Sequence, residues 1–263
     1  EIDKIKILDP ACGSGSFLLG AYTYLLNYYL AYYTKKDNLS KAMKNEKVYQ
    51  SGTNSYKLTI KEKQGILLNN IFGVDVDAQA VEVTKLSLML KLLEGEGDES
   101  AGKLFKYSDT KLLPTLSNNI KCGNSLIESD FYKEKNLSLF GNEDMRKINA
   151  FDWQKEFPEI FKVGGFDCVI GNPPYINAIN LTKIIGEAPK EYWKKRYESA
   201  KGAYDIYIIF FEQSLNVCKE SGYVSFITPN KYISSPYGEA LRTLVASKYT
   251  LEKVADLSSV RVF

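Results

Sequence analysis

Histidine is absent from this 263-residue chain. Without an imidazole there is no Ser–His–Asp or Cys–His hydrolase and no His-ligated zinc deaminase, so any chemistry runs on other groups. Cysteine is scarce: Cys12, Cys122, Cys168 and Cys218 lie far apart, with no CxxC pair among them. That spacing offers no zinc cluster, no metal site is expected, and reduced thiols in a cytoplasmic protein are the better reading. Long apolar runs are missing too. The chain opens on a strand-like segment rather than a signal peptide, so no membrane partner is expected. Charge of one sign is lacking as well: 34 basic residues against 32 acidic ones leave a net charge of +2. Nucleic-acid binding must then come from local patches. Lys41–Lys47 and Lys133 to Lys135 read as ordinary solvated faces. The third patch, "KKRYESAK" (Lys194–Lys201), is interleaved with Tyr192, Trp193 and Tyr197 and reads as a phosphate-and-base surface.

What is present is the composition of a globular protein, 44% hydrophobic and 25% charged, within the length of one α/β domain spanning residues 1–263. Strand-like and helix-like runs alternate. "IKILDP" (Ile5–Pro10) precedes an apolar-aromatic helix from Gly15 to about Tyr33. "NIFGVDVD" (Asn70–Asp77) precedes a helix whose apolar residues fall at helical spacing, with Asp77 as its N-cap. "NIKCGNSLI" and "FDCVIG" are further strands. Asp205–Glu220 reads as a helix closed by Gly222, followed by the strand "YVSFITP", the helix "GEALRTLVASK" and a last strand "LEKVADL" (Leu251–Leu257). This alternation predicts a Rossmann-like, doubly wound, mostly parallel sheet with helices on both faces. Two stretches break the rhythm: a polar segment over residues 35–58 reads as a flexible insertion, and residues 130–150 as a surface excursion. The first ends at "TIKE", a capping box.

In such sheets the ligand site lies beyond the carboxyl ends of the strands, and the unusual residues fall there. "DPACGSGSFL" follows the first strand; Gly13, Ser14 and Gly15 form a tight turn that lets backbone approach a ligand. A phosphate cradle is one reading, but the spacing is neither GxxxxGK[ST] nor GxGxxG, and Asp9 at the strand tip suits a cationic group instead. Asp75, at the tip of the second strand, is an acceptor for two ribose hydroxyls. Asn124, in "CGNSL", is either a contact to an adenine edge or a turn residue. The fourth strand ends in "GNPPY", where Pro173 and Pro174 break the ladder behind Asn172 and before Tyr175.

"DPACGSGSFL", "GVDVD", "GNSL" and "NPPY", in this order, resemble the class I methyltransferases that use S-adenosyl-L-methionine. In particular they resemble adenine-N6 DNA methyltransferases of restriction–modification systems, and residues 202–245 resemble the same part of large single-chain methylases. The resemblance implies that Asp9, Pro10, Ala11, Gly13 and Gly15 wrap the methionine moiety, that Asp75 binds the ribose, and that Asn124 and Phe210 meet the adenine of the cofactor. It implies that Asn172, Pro173, Pro174 and Tyr175 form the catalytic tip, with Tyr175 and Phe263 on opposite faces of a flipped base. The Asn172 side-chain oxygen and the Pro173 carbonyl would each take one N–H of the amine and aim its lone pair at the methyl group. Family members carry an upstream cofactor segment and a downstream recognition domain, so this chain is expected to be a catalytic core. Its partner would be double-stranded DNA, with a nuclease module possible in the full-length protein. An RNA guanine-N2 or protein-glutamine methyltransferase, and a non-catalytic nucleic-acid-binding subunit of the same fold, are the alternatives.

Overall fold

A computed structural model describes residues 2–95, 114–134 and 148–257. The chain divides into two compact units, Glu1–Lys121 and Cys122–Phe263.

The first unit runs β1 (Ile7–Asp9), α1 (Ser16–Tyr33), α2 (Lys36–Lys44), β2 (Val48–Gly52), β3 (Ser55–Leu58), α3 (Ile60–Asn70), β4 (Ile71–Asp75) and α4 (Ala78–Leu93), reaching β5 (Ile120–Cys122) at the boundary. β1 and β4 are parallel, with Asp9 opposite Gly73. Ile71 and Val74 are fully buried, as a strand covered on both faces must be. Leu18, Tyr22, Leu25 and Tyr29 form the buried stripe of α1 at helical spacing. They pack with Ile66 and Leu67 of α3 and Val81, Leu88 and Leu92 of α4 into one core.

The caps that set these helices are local. The Asp77 carboxylate accepts from the Gln79 N–H at 2.8 Å. The Thr59 hydroxyl accepts from the Glu62 N–H at 3.2 Å. Glu62 does not complete a reciprocal box; its carboxylate instead takes Lys47 Nζ at 2.5 Å and the Tyr33 hydroxyl at 2.7 Å. Lys47 belongs to the stretch expected to be a flexible insertion. Residues 35–58 in fact form α2 and the antiparallel β2–β3 hairpin, with Ala42, Val48 and Leu58 buried in the core. A few apolar anchors and one ion pair outweigh a polar composition.

The second unit runs β6 (Phe166–Gly171), α5 (Ala178–Ile185), α6 (Glu187–Arg196), α7 (Tyr207–Val217), β7 (Cys218–Phe226) and α8 (Glu239–Lys248). β6 and β7 are parallel. With parallel strands joined through helices in both units, the α/β class is the one expected. Phe151, Trp153 and Phe157 meet edge-on or tilted around Phe166 of β6. α7 is buried almost all round, from Tyr207 to Val217.

Three expectations change here. α7 ends at Val217, and Gly222 lies inside β7 instead of closing the helix. A Cβ on Gly222 would come within 2.5 Å of Cys218 Sγ and 2.9 Å of the Asp167 carbonyl, so the register shift beside it needs a bare Cα. Residues 251–257 form no strand; Leu251, Val254 and Leu257 recur every third residue, not every second, and lie exposed. The aromatics of the Lys194–Lys201 patch are not a stacking surface. Tyr192, Trp193 and Tyr197 are buried, and the Tyr197 hydroxyl donates to the Leu126 carbonyl at 3.2 Å. Arg196 of that patch pairs with Glu128 and, at 3.7 Å, with Asp130. Of the expected excursion over residues 130–150, residues 135–147 lie outside the described residues.

Candidate active site

In the first unit, the turn after β1 is built around carboxylates. Asp9 is 2% exposed, and its side chain accepts from the Ala11 N–H at 3.0 Å. Burial pushes its carboxyl up to about 7, against the Ala11 hydrogen bond and with help from the charge of Asp75. Asp75, half-buried at the tip of β4, accepts the Gly13 N–H at 2.8 Å and the Asp77 N–H at 2.9 Å. It therefore pins the turn, a role the sequence reading did not give it. Each oxygen keeps a lone pair for a further donor.

Pro10 and Cys12 are buried and Ala11 is half-buried. The Cys12 N–H donates to the Val74 carbonyl at 3.0 Å, and burial drives its thiol upward, so it stays protonated and packs. Gly13 has φ +52° and open space where a Cβ would stand. Gly15 has φ +85°, and a Cβ there would come within 2.8 Å of Thr84 Cγ2. The Thr84 hydroxyl donates to the Gly13 carbonyl at 2.7 Å, so α4 supports the turn from behind. Thr84 was not singled out, because nothing local marks a threonine whose partner lies 71 residues away. The open face at Gly13 and the desolvated acid beside a second acid fit a ligand that brings positive charge.

In the second unit, β6 ends at Gly171, and Asn172, Pro173, Pro174 and Tyr175 follow it out of the ladder. Pro173 is buried and Pro174 exposed, so one proline anchors the tip and the other faces out. Tyr175 is 43% exposed. Its hydroxyl donates to Asn172 Oδ1 and lies 3.0 Å from the Ile227 carbonyl just beyond β7. Its ring meets Tyr207 of α7 edge-on, centroids 6.0 Å apart. Partial burial raises the Tyr175 phenol, which keeps it a donor. Ile227 and Tyr207 are additions to the residues expected at the tip. The signal for Ile227 was present in "FITPN", a second strand that stops at a proline.

Asn124 takes the turn role: its side-chain oxygen accepts from the Leu126 N–H at 3.1 Å, and its own N–H donates to the Asn149 carbonyl at 2.7 Å. Phe210 is 8% exposed within α7. Phe263 lies outside the described residues. Among the described residues no group of acids, cysteines or histidines could hold a metal ion.

Three comparisons bear on this arrangement. Residues 69–263 match the family model described as Eco57I restriction-modification methylase. The type II restriction enzyme and methyltransferase RM.Eco57I of Escherichia coli is 35% identical over 266 residues, covering all of this chain and 24% of that protein. The adenine-specific methyltransferase PglX of Streptomyces coelicolor is 24% identical over 91% of this chain and 18% of that protein. The chain thus spans about a quarter or less of the length of these relatives. A cryo-electron-microscopy structure of the DrdV–DNA complex shares the fold with a TM-score of 0.50 at 16% identity, covering 92% of this chain and 19% of the other. With the family model matching well over half its length, the chain belongs to the Eco57I restriction-modification methylase family.

Proposed function

We propose that the chain is the catalytic core of an S-adenosyl-L-methionine-dependent DNA methyltransferase that modifies the N6 amine of adenine within a restriction–modification system. The observation that carries this reading is the orientation of Asn172. Its side-chain oxygen takes a hydroxyl at the exposed end of β6, whereas Asn124 and Asn177 give theirs to backbone amides of their own turns. An acceptor held by an exchangeable hydroxyl rather than by a backbone amide, beside an exposed aromatic, suits a flipped base with an exocyclic amine. A motif that only ended a strand would have no need of it.

The bound cofactor supplies a methyl group on a positively charged sulfonium. Asp9, Pro10, Ala11, Gly13 and Gly15 would hold its methionine end, with the Asp9 carboxylate facing the charge. Asp75 would accept the ribose hydroxyls. Asn124 retains its amide nitrogen for the adenine, and Phe210 is the expected aromatic packing partner. On the base, Asn172 Oδ1 and the Pro173 carbonyl would each accept one N–H. That draws the nitrogen towards a pyramidal form and directs its lone pair outward, the preorganised part of the reaction. Tyr175 would offer the base a face. No residue need act as an imidazole-like base, because the nitrogen loses its proton only after it has become cationic.

Adenine is favoured over guanine N2 or a glutamine amide by the relative whose name specifies adenine. DNA as substrate, an attached nuclease and a cytoplasmic setting come from the kind of protein the relatives are. The test is transfer of tritium from labelled S-adenosylmethionine to DNA, RNA and protein by the native protein, followed by nucleoside chromatography. Label is expected in N6-methyldeoxyadenosine; label confined to RNA or protein would overturn the reading. In the same assay Asn172→Ala should lower kcat on the order of 100-fold, the scale of one lost preorganised hydrogen bond, with cofactor affinity nearly unchanged.

A further inference from the structure

We infer that Asp205, Tyr237 and Tyr207 form a bracket that positions the catalytic tip, an inference that rests on the proposed reaction at Asn172. The contacts close a loop. From Tyr175, the ring meets Tyr207 edge-on at 6.0 Å. The Tyr207 hydroxyl lies 3.1 Å from that of Tyr237, which donates to Asp205 Oδ2 at 3.4 Å. Asp205 Oδ1 accepts from Asn177 Nδ2 at 3.3 Å, and Asn177 is two residues past Tyr175. Tyr237 has one proton and spends it on Asp205, so Tyr207 is the donor to Tyr237. Every bond then points towards the carboxylate, and each hydroxyl is satisfied in one arrangement only. Burial raises the Tyr207 phenol, which keeps it protonated in that role.

The backbone follows the same path. The Ala178 N–H donates to the Tyr204 carbonyl at 2.9 Å, and the Ile206 N–H donates to the Ile176 carbonyl at 2.8 Å. The far end is also fixed: Arg242 of α8 donates to the carbonyls of Tyr232 at 2.5 Å and Ser235 at 3.0 Å, holding the turn that carries Tyr237. The side chain of Tyr175 is half exposed, and without such a frame its ring would sample several rotamers. Three side chains outside the proposed contacts to base and cofactor would thus fix where the face for the base stands. They are positioning residues, and an error of an ångström in that face is costly to rate.

The test uses the native protein and the variants Tyr237→Phe, Tyr207→Phe, Asp205→Asn and Asp205→Ala. Tyr237→Phe and Tyr207→Phe should each slow single-turnover methylation by about 10- to 100-fold, with cofactor affinity unchanged and lower fluorescence of 2-aminopurine at the target position. The double variant should be no slower than either single one, because each breaks the same chain. Asp205→Asn, which keeps one of the two acceptors, should recover only part of the rate that Asp205→Ala loses. Amide hydrogen exchange at residues 175–178 should rise in the Phe variants. Unchanged exchange there, or a rate that falls only in step with thermal stability, would overturn the bracket. Faster exchange in a protein that leaves adenine unmethylated would keep the bracket and overturn the proposed function instead.

Discussion

The two groups that matter most for the proposed reaction are held in opposite ways. Asp9 is buried as an acid without a positive partner on its own strand tip, and its carboxyl is pushed up to about 7 from 3.8, chiefly by burial. The folded form therefore holds a proton where the unfolded chain has lost it. This group's contribution to stability is fully present below about pH 4 and disappears as pH rises through about 7. An interval of about three pH units corresponds to about 4 kcal/mol at most. Urea titrations should find Asp9→Asn losing that slope, and gaining on the parent at pH 8 relative to pH 5. A cationic ligand reverses the balance, since it favours the ionised acid. Binding of S-adenosylmethionine near pH 6.5 should then release a proton and tighten with pH. Calorimetry in buffers of different ionisation enthalpy reads this directly; an enthalpy independent of buffer would remove Asp9 from the cofactor site. Asn172 is read by its partner rather than by its burial. Its place beyond the end of β6 was legible in sequence because two prolines cannot continue a strand ladder. Thr84, Tyr207 and Tyr237 were not legible, since each acquires its role from a contact that only packing creates.

At the level of elements, local signals transferred well where the element is set by its own residues. Asp77 capping α4 and Thr59 capping α3 needed three or four neighbouring residues, and both caps are present. Elements set by packing were misread. The α2 and hairpin segment has few apolar residues, yet Val48 and Leu58 reach the core. In the Lys194–Lys201 patch, aromatics beside lysines looked like a nucleic-acid surface until burial separated the two kinds of side chain. The join between α7 and β7 is the clearest case: Gly222, taken for a helix stop, is where β7 leaves no room for a Cβ beside Cys218 and the Asp167 carbonyl of β6. Gly222→Ala should cost about 1–3 kcal/mol in urea unfolding, the range for a side chain forced into occupied space. Because the Ile227 carbonyl lies at the end of the same strand, the folded fraction should also methylate more slowly. A variant as stable as the parent would mean that the strand shifts to make room.

For the whole molecule, a net charge of +2 sets the electrostatic scale. Contact with DNA should be weak and steeply dependent on salt, through the exposed lysines near the end of α6. Lys194→Ala should reduce the slope of log affinity against log salt by about 1 in fluorescence anisotropy titrations, with similar loss on unrelated sequences. No change in slope would exclude that face from contact with phosphate. The tip makes a different contribution to binding. Asn172 already has the Tyr175 hydroxyl as a donor before any base arrives. Seating an amine there exchanges one hydrogen bond for another, so the number of bonds is conserved and the net gain is small. An incoming ring with no N–H to offer would leave the oxygen short of the donor it had. In the proposed reaction the contact would thus work as a filter on which base can take the place of the phenol, and the strength with which DNA is held would come from elsewhere.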